Sequence, residues 1–172
     1  MSIETVPDAH TADQAVRARR LRRIGLALFA VPVIAAAFGL FGPRTDRVQD
    51  SVGGYVLALD YPRASRSSIV TPFVLTVTKS GGFGDDPVVV RIDRAFLDHL
   101  DFQNWYPNPS AESSDGEQTV YEFDPPAGDT LRVSLDARTG PNQGFSSRTY
   151  AVALRGDDTP VAEVTFRTTF WP

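Results

Sequence analysis

The sequence predicts an all-β domain carried behind one N-terminal transmembrane helix, and three observations predict it. Five arginines (Arg17, Arg19, Arg20, Arg22 and Arg23) run directly into an uncharged stretch, Ile24 to Phe41. After Pro43 the helical pattern stops, and short runs of alternating apolar and polar residues follow, separated by Gly, Pro, Asp and Ser. The chain has no cysteine, so a domain delivered outside the cytoplasm must be held by its apolar core rather than by disulfides.

The apolar run comes first. A charged side chain at the bilayer centre costs ~2.5–3.5 kcal/mol on insertion scales. An uncharged run of eighteen residues bounded by arginine therefore reads as a membrane segment. At 1.5 Å per residue it reaches ~27 Å, enough for the hydrocarbon core. Arginine stays on the cytoplasmic side, so the arginines determine topology. Residues 1–23 read as a cytoplasmic basic tail without structure, 24–42 as a signal anchor, 43–54 as a linker and 55–172 as one extracytoplasmic domain. The expected location is the plasma membrane, single-pass, N-terminus inside.

A cleaved signal peptide is the competing reading. Ile24 to Ile34 would be its apolar region and Ala35-Ala36-Ala37 its cleavage site, with the cut after Ala37. Retention is favoured because the leading region is long, contains Glu4, Asp8 and Asp13, and is followed by apolar residues past Ala37.

Seven strands follow in order, each with one apolar face. Tyr55 to Tyr61 places Tyr55, Leu57, Leu59 and Tyr61 together. Ile69 to Lys79 aligns Phe73, Leu75 and Val77. Pro87 to Asp93 aligns Val88, Val90 and Ile92. Thr119 to Asp124 sets Tyr121 and Phe123 against Val120 and Glu122. Thr130 to Ala137 aligns Leu131, Val133 and Leu135. Arg148 to Arg155 aligns Tyr150, Val152 and Leu154, and Val161 to Phe170 aligns Val164, Phe166 and Thr168. Lys79 to Asp86 and Arg155 to Pro160 read as hairpin connections. Ala95 to Leu100 is one or two helical turns. About seven such strands fit an immunoglobulin-like antiparallel β-sandwich. The similarity is one of architecture, since the Cys…Trp…Cys pattern of antibody-type domains is missing. An eight-stranded barrel is the alternative.

Charge narrows the partners. From Pro43 onward twelve basic side chains face eighteen acidic ones, a balance of −6. An acidic domain argues against nucleic acid and against adhesion to anionic lipid. Chemistry has few footholds. His99 is the one histidine outside the tail and sits among Asp98 and Asp101, with no nucleophile elbow and no second histidine to complete a metal site. The acidic pairs Asp85-Asp86 and Asp157-Asp158, with Asp115, Glu117, Asp124 and Asp129, lack calcium-loop spacing, but could form a calcium site if two loops converge. No cofactor is expected. The expected role is non-enzymatic, an accessory or interaction module.

The longest irregular stretch, 101–116, carries Phe102, Trp105 and Tyr106, and the chain closes on Phe170-Trp171-Pro172. Phe102, Trp105, Tyr106 and Trp171 are the candidate ligand or partner contacts, because Trp and Tyr stack on sugars and anchor protein contacts. Equally, the loop aromatics could cap the open end of the sandwich. A glycan-binding module of the cell envelope is the alternative function, and a hydrolase with paired carboxylates is a third.

The segment Tyr121-Glu-Phe-Asp-Pro-Pro-Ala-Gly-Asp-Thr-Leu-Arg-Val-Ser-Leu-Asp-Ala-Arg and the ending Val164-Thr-Phe-Arg-Thr-Thr-Phe-Trp-Pro resemble a group of uncharacterised actinobacterial membrane-anchored proteins. So do the basic tail and the apolar run ending Phe41-Gly-Pro-Arg. These motifs are structural and carry over no site residue. The resemblance implies a small accessory protein, a companion of a small polytopic membrane protein of the YetF-like kind.

Overall fold

The structure is a computed structural model that describes residues 9–38, 44–155 and 160–172. The chain divides into two compact units, residues 1–42 and 43–172. The first holds one helix, α1 (Ala9–Ala37). Residues 9–23, expected to lack structure, belong to it. They are rich in Ala and Arg, both strong helix formers. From Ile24 onward the apolar side chains of α1 go all the way round the helix. Ile24, Leu26, Leu28, Phe29, Val31, Val33 and Ile34 are all exposed. No helix among the described residues is long and apolar enough to cross a membrane. The uncharged part of α1 ends at Ala37, and residues 39–42 of the expected span lie outside the described residues.

The second unit is all β apart from one short helix. Its strands are β1 (Arg44–Val52), β2 (Tyr55–Arg66), β3 (Phe73–Lys79), β4 (Val88–Asp93), β5 (Leu100–Tyr106), β6 (Ala111–Asp115), β7 (Gln118–Phe123), β8 (Thr130–Thr139), β9 (Ser146–Arg155) and β10 (Pro160–Trp171), with α2 (Arg94–Leu97) between β4 and β5. All ten strands belong to one hydrogen-bonded sheet, in the order β5-β8-β3-β2-β10-β9-β4-β7-β6, with β1 paired to β2. The sheet curls so that its two ends meet. Trp105 of β5 lies 4.8 Å from Tyr121 of β7, ring centre to ring centre. These strands are far apart in the sheet order.

All seven expected strands have a counterpart, and each buries the face that its alternation assigns, but the one expected from Ile69 begins at Phe73, with Val70 making only an isolated bridge to Arg138. Three further strands correct the expectation. The expected linker 43–54 is largely β1, which pairs with β2 from Val52↔Tyr55 to Arg44↔Ala64. Gly53 and Gly54 turn the hairpin with φ of +59° and +86°, the left-handed pair that a two-residue turn needs and that glycine adopts without strain. The expected loop 101–116 is largely β5 and β6. β6 is exposed throughout, so no apolar alternation marks it. In β5 the register shifts between Leu100 and Phe102. A bulge of this kind moves following residues to the other face, so Leu100 and Trp105 are both buried although five positions apart.

Connections also differ. β9 and β10 form the expected hairpin. Lys79 to Asp86 does not close one, because β3 pairs with β2 and β8 while β4 pairs with β7 and β9. That segment instead joins the two halves of the curled sheet. The chain also crosses between the halves at α2, at 124–129 and at 140–145, and the sheet itself is continuous where β10 runs parallel to β2 at Thr169↔Ala64, Phe170↔Ser65 and Trp171↔Arg66.

Aromatic rings fill the core. Phe166 of β10 lies 5.1 Å from Tyr61, 5.9 Å from Phe73, 5.1 Å from Phe96 and 5.7 Å from Tyr150. Phe96, brought in by α2, also meets Phe73 and Tyr150 and plugs the open end. Beside it lies a buried knot of hydroxyls. Thr139 Oγ1 is 2.7 Å from both Ser65 Oγ and Thr71 Oγ1, and all three residues are buried. Thr168 Oγ1 donates to the Pro62 carbonyl at 2.7 Å, tying β10 to β2.

Two substitutions test this account. Phe96→Ala should cost ~3–5 kcal/mol, because truncating a buried ring leaves a cavity. Thr139→Val should cost ~1–3 kcal/mol by leaving two buried hydroxyls short of a partner. Urea unfolding followed by circular dichroism reads both, and an unchanged midpoint in either would refute its assigned role.

Candidate functional site

The four aromatic candidates separate. Trp105 is 6% exposed and belongs to the core, between Tyr121, Phe73 and Phe123. A ring so covered has no face to offer a sugar. Its place corrects the expectation of a contact residue: the ring lies in the core where β5 meets β7. The side chain of Phe102 lies outside the described residues. Tyr106 is exposed at the far end of β5. Trp171 is 47% exposed and meets Phe145, itself 65% exposed, edge to face at 5.1 Å.

Phe145 escaped the sequence reading because it stands alone in a polar turn, Gly140 to Phe145. Backbone hydrogen bonds bring that turn to the end of β10. Ser67 N donates to the Trp171 carbonyl, Ser68 N to the Thr139 carbonyl and Gln143 N to Ser67 Oγ. Ile69 and Val70 add exposed apolar surface at the same end. Arg44, the first residue of β1, pairs with Ala64 here, so the chain enters the domain at this pole.

Next to the aromatic pair is a groove of about 510 Å³ lined by Asp46, Tyr61, Arg63, Ser147, Arg167 and Thr169. Arg63 and Asp46 approach to 3.8 Å, both well exposed, and Arg167 Nε donates to Ser147 Oγ. Arg167, Thr169 and Trp171 alternate with the buried Thr168 and Phe170, so they share the outer face of β10. The basic groove and the aromatic pair therefore form one continuous strip.

Charge is sorted between the ends of the domain. Arg44, Arg63, Arg66, Arg138, Arg148 and Arg167 gather at the Trp171 end, by strand register, together with Asp46, 3.8 Å from Arg63, and Asp101, 3.0 Å from Arg138. At the other end the connections 80–87 and 124–129 hold Asp85, Asp86, Asp124 and Asp129. Lys79 stands there over the rings of Tyr55 and Phe83, 3.9 Å from Asp86. Those groups line a second pocket of about 270 Å³ with Arg155.

The expected chemistry of the acidic groups finds little support. Among the described residues no group of three or more His, Cys, Asp or Glu could hold a metal ion. Asp157 and Asp158 lie outside the described residues. His99 stacks on Phe170 at 4.2 Å, and its Nδ1–H donates to Gln143 Oε1 at 2.8 Å. Those contacts use the ring to pin the turn 140–145. The five arginines of the basic tail are exposed along α1.

Three buried tyrosines are titratable groups of the core. Tyr150 is raised above its ordinary value of 10.0 chiefly by burial, against weaker lowering by Arg148 and the Ser146 hydroxyl, while Asp93 adds to the rise. Burial likewise raises Tyr121, with the Trp105 indole lowering it and Glu112 raising it. Tyr61 is raised by burial first and by Asp46, with Arg63 opposing.

The sequence matches no protein-family model, and it matches none of the curated proteins.

Raised tyrosine values set an alkaline limit. The folded state holds these phenol protons more tightly than the unfolded chain, so their contribution is intact below pH ~10 and lost as pH rises through the folded values. Urea midpoints should be flat up to pH ~9 and fall above pH ~10. Tyr150→Phe should flatten that fall, and an identical alkaline slope in the variant would count against a buried, neutral Tyr150.

Proposed function

We propose that this chain is a single-pass membrane protein with its N-terminus inside, and that it displays a non-enzymatic interaction module at the outer face of the plasma membrane. One observation carries the reading. The apolar side chains of α1 surround the helix from Ile24 onward and are exposed, while five arginines mark one end. A helix apolar all round needs a buried or lipid environment, since water favours a helix with one polar face. The uncharged run continues in sequence through Phe38, Gly39, Leu40 and Phe41, which brings its length to that of a bilayer core.

The module is a curled two-halved β-structure, which we read as a divergent relative in architecture of the immunoglobulin-like sandwich. Tethering keeps it in a thin layer beside the membrane and raises its effective concentration for anything there. Another membrane protein is the partner class this placement suits. The YetF-like companion remains a proposal from resemblance. The glycan reading loses its main residue with Trp105 in the core.

The absence of native cysteine makes the topology directly testable. Ala15→Cys and Ser113→Cys each introduce a single exposed thiol. In intact cells a membrane-impermeant maleimide should label Ser113→Cys at once and Ala15→Cys only after lysis. The reverse pattern, or equal labelling of both, overturns the proposed orientation.

A further inference from the structure

The strip formed by Phe145, Trp171, Arg63 and Arg167 is the surface whose chemistry the proposed function leaves unassigned. We propose that this pole docks on the bilayer that holds the anchor: Phe145 and Trp171 enter the headgroup layer, and Arg63 and Arg167 meet lipid phosphates. The inference rests on the anchored reading above and goes further by naming the anionic lipid surface as the partner.

Three observations converge on it. The first is chain length. β1 opens at Arg44 on this pole, and an anchor ending at Gly42 leaves one residue, Pro43, a reach of ~7 Å, before it. By that bound the bilayer is the surface this pole meets first. The second is side-chain type. Tryptophan is enriched at membrane interfaces, where one part of the ring is apolar and the other wet. Trp171 is 47% exposed and paired with an exposed phenylalanine. The third is charge. Basic side chains near an anionic membrane are drawn to its negative surface potential, and arginine pairs with phosphate in a bidentate way. Arg44, Arg148 and Arg167 form no ion pair among the described residues, and the one at Arg63 spans 3.8 Å between exposed groups.

The domain's balance of −6 does not oppose this. β2 is twelve residues long and joins the two poles, which separates them by ~40 Å at 3.3 Å per residue. Screening reduces surface charge effects beyond ~8–10 Å at ordinary salt. With the arginine pole against the membrane, Asp85, Asp86, Asp124 and Asp129 lie several screening lengths away, while the acids at the pole itself, Asp46 and Asp101, face Arg63 and Arg138 at 3.8 Å and 3.0 Å.

The two tryptophans make the test direct, because Trp105 is buried and Trp171 is exposed. The full chain is reconstituted into vesicles of phosphatidylcholine with phosphatidylglycerol, with and without brominated acyl chains. Flotation after carbonate washing reads the anchor, and tryptophan quenching by bromine reads the docking. The expected result is a chain that floats, with Trp171 quenched and its emission shifted to the blue. Trp171→Phe should lose the quenching and still float. Arg63→Gln with Arg167→Gln, both exposed and outside the core, should lose quenching in anionic vesicles and float normally. A chain that floats with no quenching overturns the docking and leaves the pole to a protein partner, with the anchor intact. Quenching unchanged in the double arginine variant overturns the role of lipid phosphate. A chain that fails to float overturns the anchor and the docking with it.

Discussion

The packing of Phe166 against rings from both halves of the sheet is the contact on which the rest of the domain depends. Tyr61 and Phe73 reach it from one half, Tyr150 from the other and Phe96 from α2. The backbone ladder between the halves is short, three residue pairs between β2 and β10, with a few further hydrogen bonds such as Thr168 Oγ1 to the Pro62 carbonyl beside it. Each ring buries apolar area and adds a geometric preference for edge contacts worth ~0.5–1.5 kcal/mol per pair. In a chain without cysteine that packing does what disulfides do in many exported domains. It also positions the strip around Trp171, because Phe170, next to Trp171, stacks on His99 and lies beside Phe96.

Much of this was legible in the sequence. Strict alternation identifies a strand whenever one face is buried, and every strand with such a face was found, with the correct residues inward. The three that escaped lack that signature for separate reasons. β1 is a polar edge strand whose only clear signal is its Gly53-Gly54 turn. β6 is solvated on both faces. β5 carries a bulge that changes the face midway, so Trp105 reads as a loop aromatic while lying in the core. The hydroxyl knot of Ser65, Thr71 and Thr139 joins residues more than sixty positions apart, and short polar side chains in a list give no hint of such meetings.

The candidate site shows the same limit in another form. Composition assigns the domain a negative balance and argues against anionic lipid. Strand register then carries arginines spaced across the chain, from Arg44 to Arg167, to one pole, where they outnumber Asp46 and Asp101, and leaves further aspartates in the turns of the other. A net charge is a sum, and partners respond to where its parts lie. Trp171 was singled out from sequence, but Phe145, which completes its pair, lies in a turn that only the fold brings to it.

The two-glycine hairpin has a mechanical consequence. Because the chain turns back at Gly53-Gly54, β1 runs the length of the domain from the pole where it enters, antiparallel to β2. A pull on the chain ahead of Arg44, directed along the strand, therefore loads the whole β1–β2 ladder in shear, so its residue pairs must yield together. A tether entering at the hairpin end would instead peel the ladder one pair at a time. The order of elements thus makes the first strand a grip as well as an edge: a largely polar strand, with Val48 packed against the core, resists tension applied along it at Arg44.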